Sequence, residues 1–212
     1  MQNSFFNRGF QRKRPASQHV LPPGQYETQD FPVLSAGPTP RIDTARWSFG
    51  LEGLVAQPQH WSWAEFNALP QQDFTVDIHC VTQWSKFGTQ WRGVSLDTLL
   101  ALAGPQPEAR YVMAHCYGGY TTNLPLADLT GGKAFIGLLY DGQPLAPDHG
   151  GPARLVVPHL YFWKSAKWVQ RLELRADDAP GFWERAGYSM YGDPWKEQRY
   201  LDDDEDLAAG TR

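Results

Sequence analysis

The 212-residue chain has only two cysteines, no long apolar run and no excess of basic residues. Two cysteines cannot form the disulfide framework of a secreted scaffold, so free thiols in a reducing compartment are predicted. No stretch reaches the ~18 apolar residues of a transmembrane helix, and no hydrophobic segment follows the N-terminal arginines as in an export signal. The net charge of −4 gives no reason to expect nucleic acid as a partner. We therefore predict a cytoplasmic protein without an integral membrane segment.

The chain also lacks the short motifs of several common enzyme classes. It contains no G-x-S-x-G, no H-E-x-x-H, no Walker A sequence and no Rossmann glycine pattern. The usual hydrolase and nucleotide-binding interpretations are thereby excluded. Aromatic residues, in contrast, make up 14% of the chain and include nine tryptophans, which suits a globular protein with an aromatic pocket.

Composition divides the chain into an arm, a domain and a tail. Residues 1–18 are polar and basic and are predicted to be a mobile arm. Residues 19–200 are predicted to form one domain, whose first part, residues 19–40, is too rich in proline and glycine for a helix or a central strand. That part is expected to lie extended over the domain. Residues 201–212 are acidic and are predicted to be a solvated tail.

Short strands with few helices predict the α+β class with a mixed sheet. A capping-box pattern at Ser62 and Glu65 predicts a short helix. A strand is predicted to end near Cys80, and residues 84–88 are predicted to be a polar and aromatic loop. Residues 91–94 are predicted to lead into a second helix, whose apolar face is formed by Leu96, Leu99, Leu100 and Ala103.

Cys80 is the first candidate for chemistry, because side chains at strand ends tend to face a site. The alternative is that Cys80 is a small buried hydrophobic residue. A nearby histidine and lysine, His79 and Lys86, favour the thiolate, the form that binds metal or attacks an electrophile.

Two later segments carry groups suited to an anion. In residues 149–154, HGGPAR, paired glycines let a backbone approach a ligand closely, and Arg154 offers a planar fork of donors for a phosphate. The alternative is an ordinary loop in which Arg154 forms a salt bridge. In residues 158–168, Lys164, Ser165 and Lys167 lie among large aromatic residues and are predicted to form a second anion-facing edge.

The repeated His-Cys pair suggests a different site. If the strand ends at His79-Cys80 and His115-Cys116 were adjacent, two thiolates and two imidazoles would suit tetrahedral zinc. Neighbouring residues in a strand point to opposite faces, however, which argues against this zinc site.

Taken together, Cys80, HGGPAR and the KSAKW segment resemble the molybdopterin-binding domain of the sulfite oxidase family. The resemblance runs from about residue 31 to residue 200. It is nearest to the small, haem-free bacterial members, which include the catalytic subunit of a methionine sulfoxide reductase. It implies a mixed-sheet α+β fold around a molybdenum–molybdopterin cofactor without haem, and hence a separate electron-transfer partner.

The resemblance also implies roles for individual residues. Cys80 matches the cysteine whose thiolate binds molybdenum, and it is therefore the expected metal ligand and catalytic residue. Eight further residues match positions that contact or line the cofactor: His149, Arg154, Ser165, Ala166, Lys167, His115, Phe31 and Val33.

Some positions depart from the family pattern. Two arginines that serve sulfite oxidases are replaced by Ser85 and Leu34, and Leu138 stands where an active-site tyrosine is expected. Lys86, His79 and Arg92 are candidate substitutes for the missing cations. We therefore expect oxo transfer on a small substrate (a sulfoxide, an N-oxide or another oxyanion). The alternatives are sulfite oxidation, a non-catalytic binding module and the zinc site.

Overall fold

The computed structural model of the protein describes residues 17–208, with side chains described through Asp204. The predicted basic arm, residues 1–18, lies almost wholly outside that part of the chain. The strands are β1 (Tyr26–Glu27), β2 (Ser48–Gly53), β3 (Gln59–Ser62), β4 (Gln72–His79), β5 (Trp84–Ser95), β6 (Tyr111–Cys116), β7 (Thr121–Pro125), β8 (Phe135–Tyr140), β9 (Gln143–Pro144), β10 (Arg154–Val156) and β11 (Val169–Arg175). The helices are α1 (Trp63–Asn67), α2 (Leu96–Ala103) and α3 (Leu201–Ala208), with 3-10 turns at Leu126–Asp128, Pro147–His149, Glu184–Ala186 and Pro194–Lys196.

The strands form two mixed sheets. The first has the order β1-β5-β8-β10, with β4 also paired to β5 and β9 to β8. The second has the order β3-β2-β11-β6-β7. The β1–β5 and β2–β11 pairs are parallel, and the other pairs are antiparallel. The predicted α+β class with mixed sheets is confirmed.

A serine side chain caps the N-terminus of each of the helices α1 and α2. Ser62 accepts a hydrogen bond from the backbone N–H of Glu65, whose carboxylate accepts one from the Ser62 N–H, so the predicted capping box is present. Ser95 caps α2, and Gly104 ends it in the left-handed region at φ 64°. The predicted apolar face of α2 is buried in the larger of two hydrophobic clusters.

Strand β5 is much longer than the sequence indicated. Residues 84–88 are not a loop but belong to β5, as do residues 91–94, and α2 follows at Leu96 as predicted. The strand pairs with β4 on one side and β8 on the other. Gly93 lies so close to β8 that a Cβ atom there would be 2.0 Å from the carbonyl oxygen of Ile136, which explains a glycine within a strand.

The start of the acidic tail is ordered rather than merely solvated. Residues Leu201–Ala208 form α3. The Asp204 carboxylate accepts hydrogen bonds from the Ser189 hydroxyl (2.8 Å), the Met190 N–H (2.9 Å) and the Gln198 amide (3.0 Å). These bonds fix residues 188–200 against the domain.

Candidate cofactor site

A cavity of about 590 Å³ lies where the segment at residues 31–40 crosses loops from both sheets. This volume falls within the range of about 300–1,000 Å³ that ligand pockets occupy. Six residues that the sequence singled out line the cavity: Phe31, Cys80, Arg154, Ser165, Ala166 and Lys167.

Cys80 directly follows β4 and opens the four-residue turn into β5, here called the cysteine loop (residues 80–83). The turn closes through hydrogen bonds from the Cys80 N–H to the Trp84 carbonyl (2.8 Å) and from the Gln83 N–H to the Cys80 carbonyl (3.0 Å). The Thr82 hydroxyl donates to the Cys80 sulfur at 3.2 Å. Burial raises the pKa of the Cys80 thiol, while the Thr82 hydrogen bonds and the charges of Arg154 and Arg199 oppose that rise. The loop thus holds a sulfur at the cavity, with donors and cations near it.

Arg154 places a cation inside the protein. It begins β10 and is only 3% exposed. Its Nε donates to the Ser165 carbonyl (3.0 Å), its Nη1 donates to the His149 carbonyl (2.9 Å), and its guanidinium lies 3.8 Å from the centre of the Phe162 ring. Burial lowers the pKa of Arg154 to about 9. In the part of the chain that the structure describes, no carboxylate pairs with Arg154, so the predicted alternative of a salt bridge is wrong.

Lys167 joins the segment at residues 31–40 to the turn at Pro147–His149. Its ammonium donates to the Leu34 carbonyl (2.9 Å) and to the Asp148 carbonyl (2.6 Å). Burial and the neighbouring charge of Arg154 lower the pKa of Lys167 to about 8. An anion in the cavity would satisfy both cations.

Phe31 and His149 lie together at one side of the cavity. Their rings stack with centroids 4.0 Å apart, and Phe31 also contacts the rings of Trp84, Trp91, Tyr140 and Phe162. The buried Nδ1 of His149 has no hydrogen-bond partner among residues 17–204. His149 does not line the cavity itself but stands behind Phe31, which does.

The two glycines of HGGPAR are required for a different reason from the one predicted. Gly150 adopts a φ of 111°, which favours glycine. A Cβ atom on Gly151 would lie 2.0 Å from the Leu145 carbonyl oxygen. The close approach that these glycines permit is therefore to the protein's own backbone rather than to a ligand.

Besides His149, three residues that were predicted to be functional do not line the cavity. His115 lies within β6, where its Nε2 is 2.9 Å from the Glu173 carboxylate. Val33 is 45% exposed and lies outside the cavity wall. Lys164 is completely buried and pairs with Glu184 at 2.7 Å, so it is not part of an anion-facing edge. Each of these side chains is instead placed by its own contacts or exposure, although residues near it in sequence line the cavity.

The zinc alternative and the substitute cations also fail. Among residues 17–204 no group of three or more His, Cys, Asp and Glu side chains could hold a metal ion. His79 is instead hydrogen-bonded to Ser85 at 2.8 Å. Lys86 donates to the Gln29 carbonyl, and Arg92 forms an exposed pair with Asp73. None of these cations lines the cavity.

The aromatic wall agrees with the aromatic pocket that the composition suggested, although the sequence did not single out Trp183. Trp163, Trp183 and Tyr188 line the cavity, and their rings contact one another at centroid distances of 5.1 to 5.3 Å. Trp84, four residues after Cys80, also lines it with a buried indole N–H that has no partner in the described chain. Trp183 and Tyr188 follow the last strand, and nothing in their local sequence links them to Cys80.

A family model described as the oxidoreductase molybdopterin binding domain matches residues 36–183. This chain belongs to that family. It is 44% identical over 181 residues to the uncharacterized oxidoreductase YuiH of Bacillus subtilis, covering 85% of this chain and 91% of that protein. It is 34% identical over 151 residues to a putative protein-methionine-sulfoxide reductase subunit, YedZ1, of Azospira oryzae, covering 71% of this chain and 57% of that protein. The protein is thus a molybdopterin-binding oxidoreductase of the sulfite oxidase type.

A solved structure shares the fold. The sulfane dehydrogenase SoxCD from Paracoccus pantotrophus matches with a TM-score of 0.61 at 22% identity, over 70% of this chain and 42% of that one. Within residues 17–208 the structure has no helix that is long and apolar enough to cross a membrane.

The residues at the cavity fit a molybdenum–molybdopterin group. The phosphate of the pterin is an anion, and Arg154 is a buried cation without a carboxylate partner. A cysteine sulfur is a soft ligand suited to a transition metal that also carries sulfur ligands. The buried indole N–H of Trp84, which lines the cavity and has no partner in the described chain, is a further group that could donate a hydrogen bond.

Proposed function

We propose that this protein transfers an oxygen atom to or from a small neutral oxide, using a molybdenum–molybdopterin cofactor bound in the cavity. The proposal rests on one observation, the presence of two particular side chains in the wall of one cavity. The Cys80 thiol and the buried guanidinium of Arg154, which lacks a carboxylate partner, line the same cavity. A soft metal ligand and a site for an anion are the two things that such a cofactor requires.

Each residue has a defined task in this proposal. Cys80 would bind the metal as a thiolate, and Arg154 and Lys167 would hold the phosphate with charge-assisted hydrogen bonds. Ser165 and Ala166 form a buried part of the wall, and the Ser165 hydroxyl is already used by the Val157 N–H at 2.9 Å. When bound, the cofactor supplies the two-electron chemistry, while the protein orients it and limits the access of water.

The charges of the wall favour a neutral substrate over sulfite. Arg154 and Lys167 are the cationic side chains that line the cavity among residues 17–204, and the proposal assigns both to the cofactor. The other side chains that line it include the rings of Trp163, Trp183 and Tyr188. A sulfite dianion would find no clustered cations there, whereas a sulfoxide or an N-oxide presents one polar oxygen and apolar methyl groups. The name of the Azospira relative, which refers to methionine sulfoxide, supports a sulfoxide.

A separate protein is proposed to exchange electrons with the site. The Azospira relative is itself named as a subunit, which supports an arrangement with more than one chain. A cytoplasmic location stays a prediction.

The test begins with protein expressed in a host that makes molybdenum cofactor. We expect near-stoichiometric molybdenum and a fluorescent pterin released on denaturation, with dye-linked reduction of sulfoxides well above any sulfite oxidation. Cys80→Ala should abolish turnover with the fold intact, and Cys116→Ala is the matched control that should retain it. Protein without molybdenum from a competent host, or a fully active Cys80→Ala variant, would refute the proposal.

A further inference from the structure

The cysteine loop is held by residues that lie outside the matched family domain. That domain covers residues 36–183, whereas Gln25 precedes it and Arg199 follows it. Both side chains bond to backbone carbonyl groups of residues 80–83. These contacts have no part in the cofactor tasks assigned above.

Arg199, which lies C-terminal to the matched domain, is hydrogen-bonded to the cysteine loop. Its Nη1 donates to the Val81 carbonyl, and its Nη2 lies 3.4 Å from the Pro23 carbonyl. Its Nε lies 3.4 Å from the Glu197 carboxylate, and the guanidinium lies over the Tyr161 ring, 5.1 Å from its centre. Arg199 is buried, so its fork is held in one orientation by packing as well as by hydrogen bonds.

Gln25, which lies N-terminal to the matched domain, is also hydrogen-bonded to the cysteine loop. Its amide nitrogen donates to the Cys80 carbonyl at 3.0 Å, and its amide oxygen lies 3.3 Å from the Ser85 hydroxyl. The backbone adds to this hold, because the Tyr26 N–H donates to the Gln83 carbonyl at 2.8 Å. Segments from both sides of the matched domain thus meet at the loop, and Arg199 links them through the Pro23 carbonyl.

We propose that Arg199 and Gln25 are positioning residues that clamp the cysteine loop and fix the direction of the Cys80 sulfur toward the cavity. The loop is short and its Gln83 adopts a left-handed φ of 74°, so the clamp holds a turn that its own sequence does not favour. The groups behind a metal ligand fix its orientation, which makes such contacts important for the metal itself. In that last respect the inference rests on the proposed function.

The first test uses protein without cofactor, so it does not depend on metal binding. In a Cys116→Ala background Cys80 is the sole thiol, and its rate of reaction with iodoacetamide, compared at equal thiolate fraction, reports how often the loop opens and exposes this buried side chain. Arg199→Gln removes charge-assisted bonds and should raise that rate about tenfold or more. Gln25→Met removes a neutral bond and should raise it by about threefold to tenfold. Arg199→Lys should fall between wild type and Arg199→Gln, since it keeps the charge but loses the fork.

Two controls make the result specific. Arg92→Gln removes an arginine from an exposed pair with Asp73 and should leave the rate unchanged. In a Cys80→Ala background, Arg199→Gln should not speed the alkylation of Cys116, which is buried in the main core. Clamp variants that react no faster than Arg92→Gln would overturn the proposal. Equal acceleration at Cys116 would also overturn it, because the effect would then be general unfolding.

The second test addresses the direction of the sulfur in the loaded enzyme. The Mo(V) electron paramagnetic resonance spectrum of Arg199→Gln should differ from that of wild type, while Arg92→Gln should match wild type. Identical spectra would refute the claim that the clamp sets the sulfur direction. A wild type that binds no molybdenum would count against the proposed function alone, since the alkylation result stands without the metal.

Discussion

Replacing Arg154 with methionine should separate cofactor binding from protein stability. Methionine fills a similar space without a charge, so the core around Phe162 stays packed. The buried guanidinium has no carboxylate partner in the described chain, and the proposal assigns its charge to the anionic cofactor. We expect Arg154→Met to lose the cofactor while the cofactor-free protein keeps most of its stability.

The magnitudes follow from the contacts of Arg154. Lowering its pKa from 12.5 to about 9 corresponds to about 5 kcal/mol against the charged form in the folded protein. The two bonds that it donates to carbonyl groups, at 3.0 and 2.9 Å, are together worth about 3–6 kcal/mol. These terms nearly cancel, so the free energy of unfolding of the cofactor-free variant should change by no more than about 2 kcal/mol. Loss of a buried charge partner should cost a bound anion about 2–5 kcal/mol, a loss of roughly 30-fold to several thousandfold in affinity.

The assay compares denaturant unfolding of cofactor-free wild type and variant with the pterin and molybdenum contents of both after expression in a competent host. Arg46→Met, at an exposed arginine, is the matched control and should match wild type in both measurements. Full pterin content in Arg154→Met would refute the assignment of Arg154 to the anion. A loss of stability above about 4 kcal/mol would show that the guanidinium is mainly structural.

Three further predictions concern other residues. The pKa of Lys167 is lowered to about 8 and that of Arg154 to about 9, so both carry charge below pH 8 and lose it as the pH rises. Affinity for inorganic phosphate, measured by calorimetry on cofactor-free protein, should therefore fall between pH 8 and 9.5, and tighter binding over that range would contradict the assignment. Lys164→Met leaves the Glu184 carboxylate buried without its cation and should lower the free energy of unfolding by about 3–5 kcal/mol. Adding Glu184→Gln should restore part of that loss in denaturant unfolding, and no restoration would show that the charge is not the cause. Cys116→Ala should reduce stability by about 1 kcal/mol with turnover unchanged, and lost turnover would give Cys116 a role that this account denies it.

The positions of the strands could be read from the sequence where apolar and β-branched residues run together. Strand β4 was predicted to end near Cys80, and it ends at His79, which leaves the cysteine in the turn beside the cavity. Strand β5 was missed because its first residues, WSKFG, look like a polar and aromatic loop. Several of them have partners distant in sequence, because Trp84 and Ser85 pair with β1 and Lys86 donates to the Gln29 carbonyl. Tertiary contacts therefore outweighed local propensity.

The directions in which the side chains of residues 158–168 point could not be predicted from the sequence. Lys164, Ser165 and Lys167 are grouped in sequence, which suggested one shared face. In the structure the Lys164 ammonium turns to Glu184, Asn123 and Met190, while Lys167 reaches the opposite side at Leu34 and Asp148. The partner of Lys164, Glu184, lies 20 residues away in the C-terminal segment, so no local pattern could reveal the pairing.

The charge of Arg154 suits an anion in the cavity, and without an anion that charge is not neutralised. Arg154 is fixed by two carbonyl groups and an aromatic ring, none of which neutralises its charge, so its burial adds little net stability until an anion binds. An anionic cofactor that binds only the folded protein must then stabilise it in proportion to its affinity and concentration. The contacts that hold the cysteine loop come from residues on both sides of the matched domain, at Gln25 and Arg199. Binding of the cofactor through Cys80 and packing of these two flanking segments on the cysteine loop should therefore reinforce each other, because both restrict the same four residues.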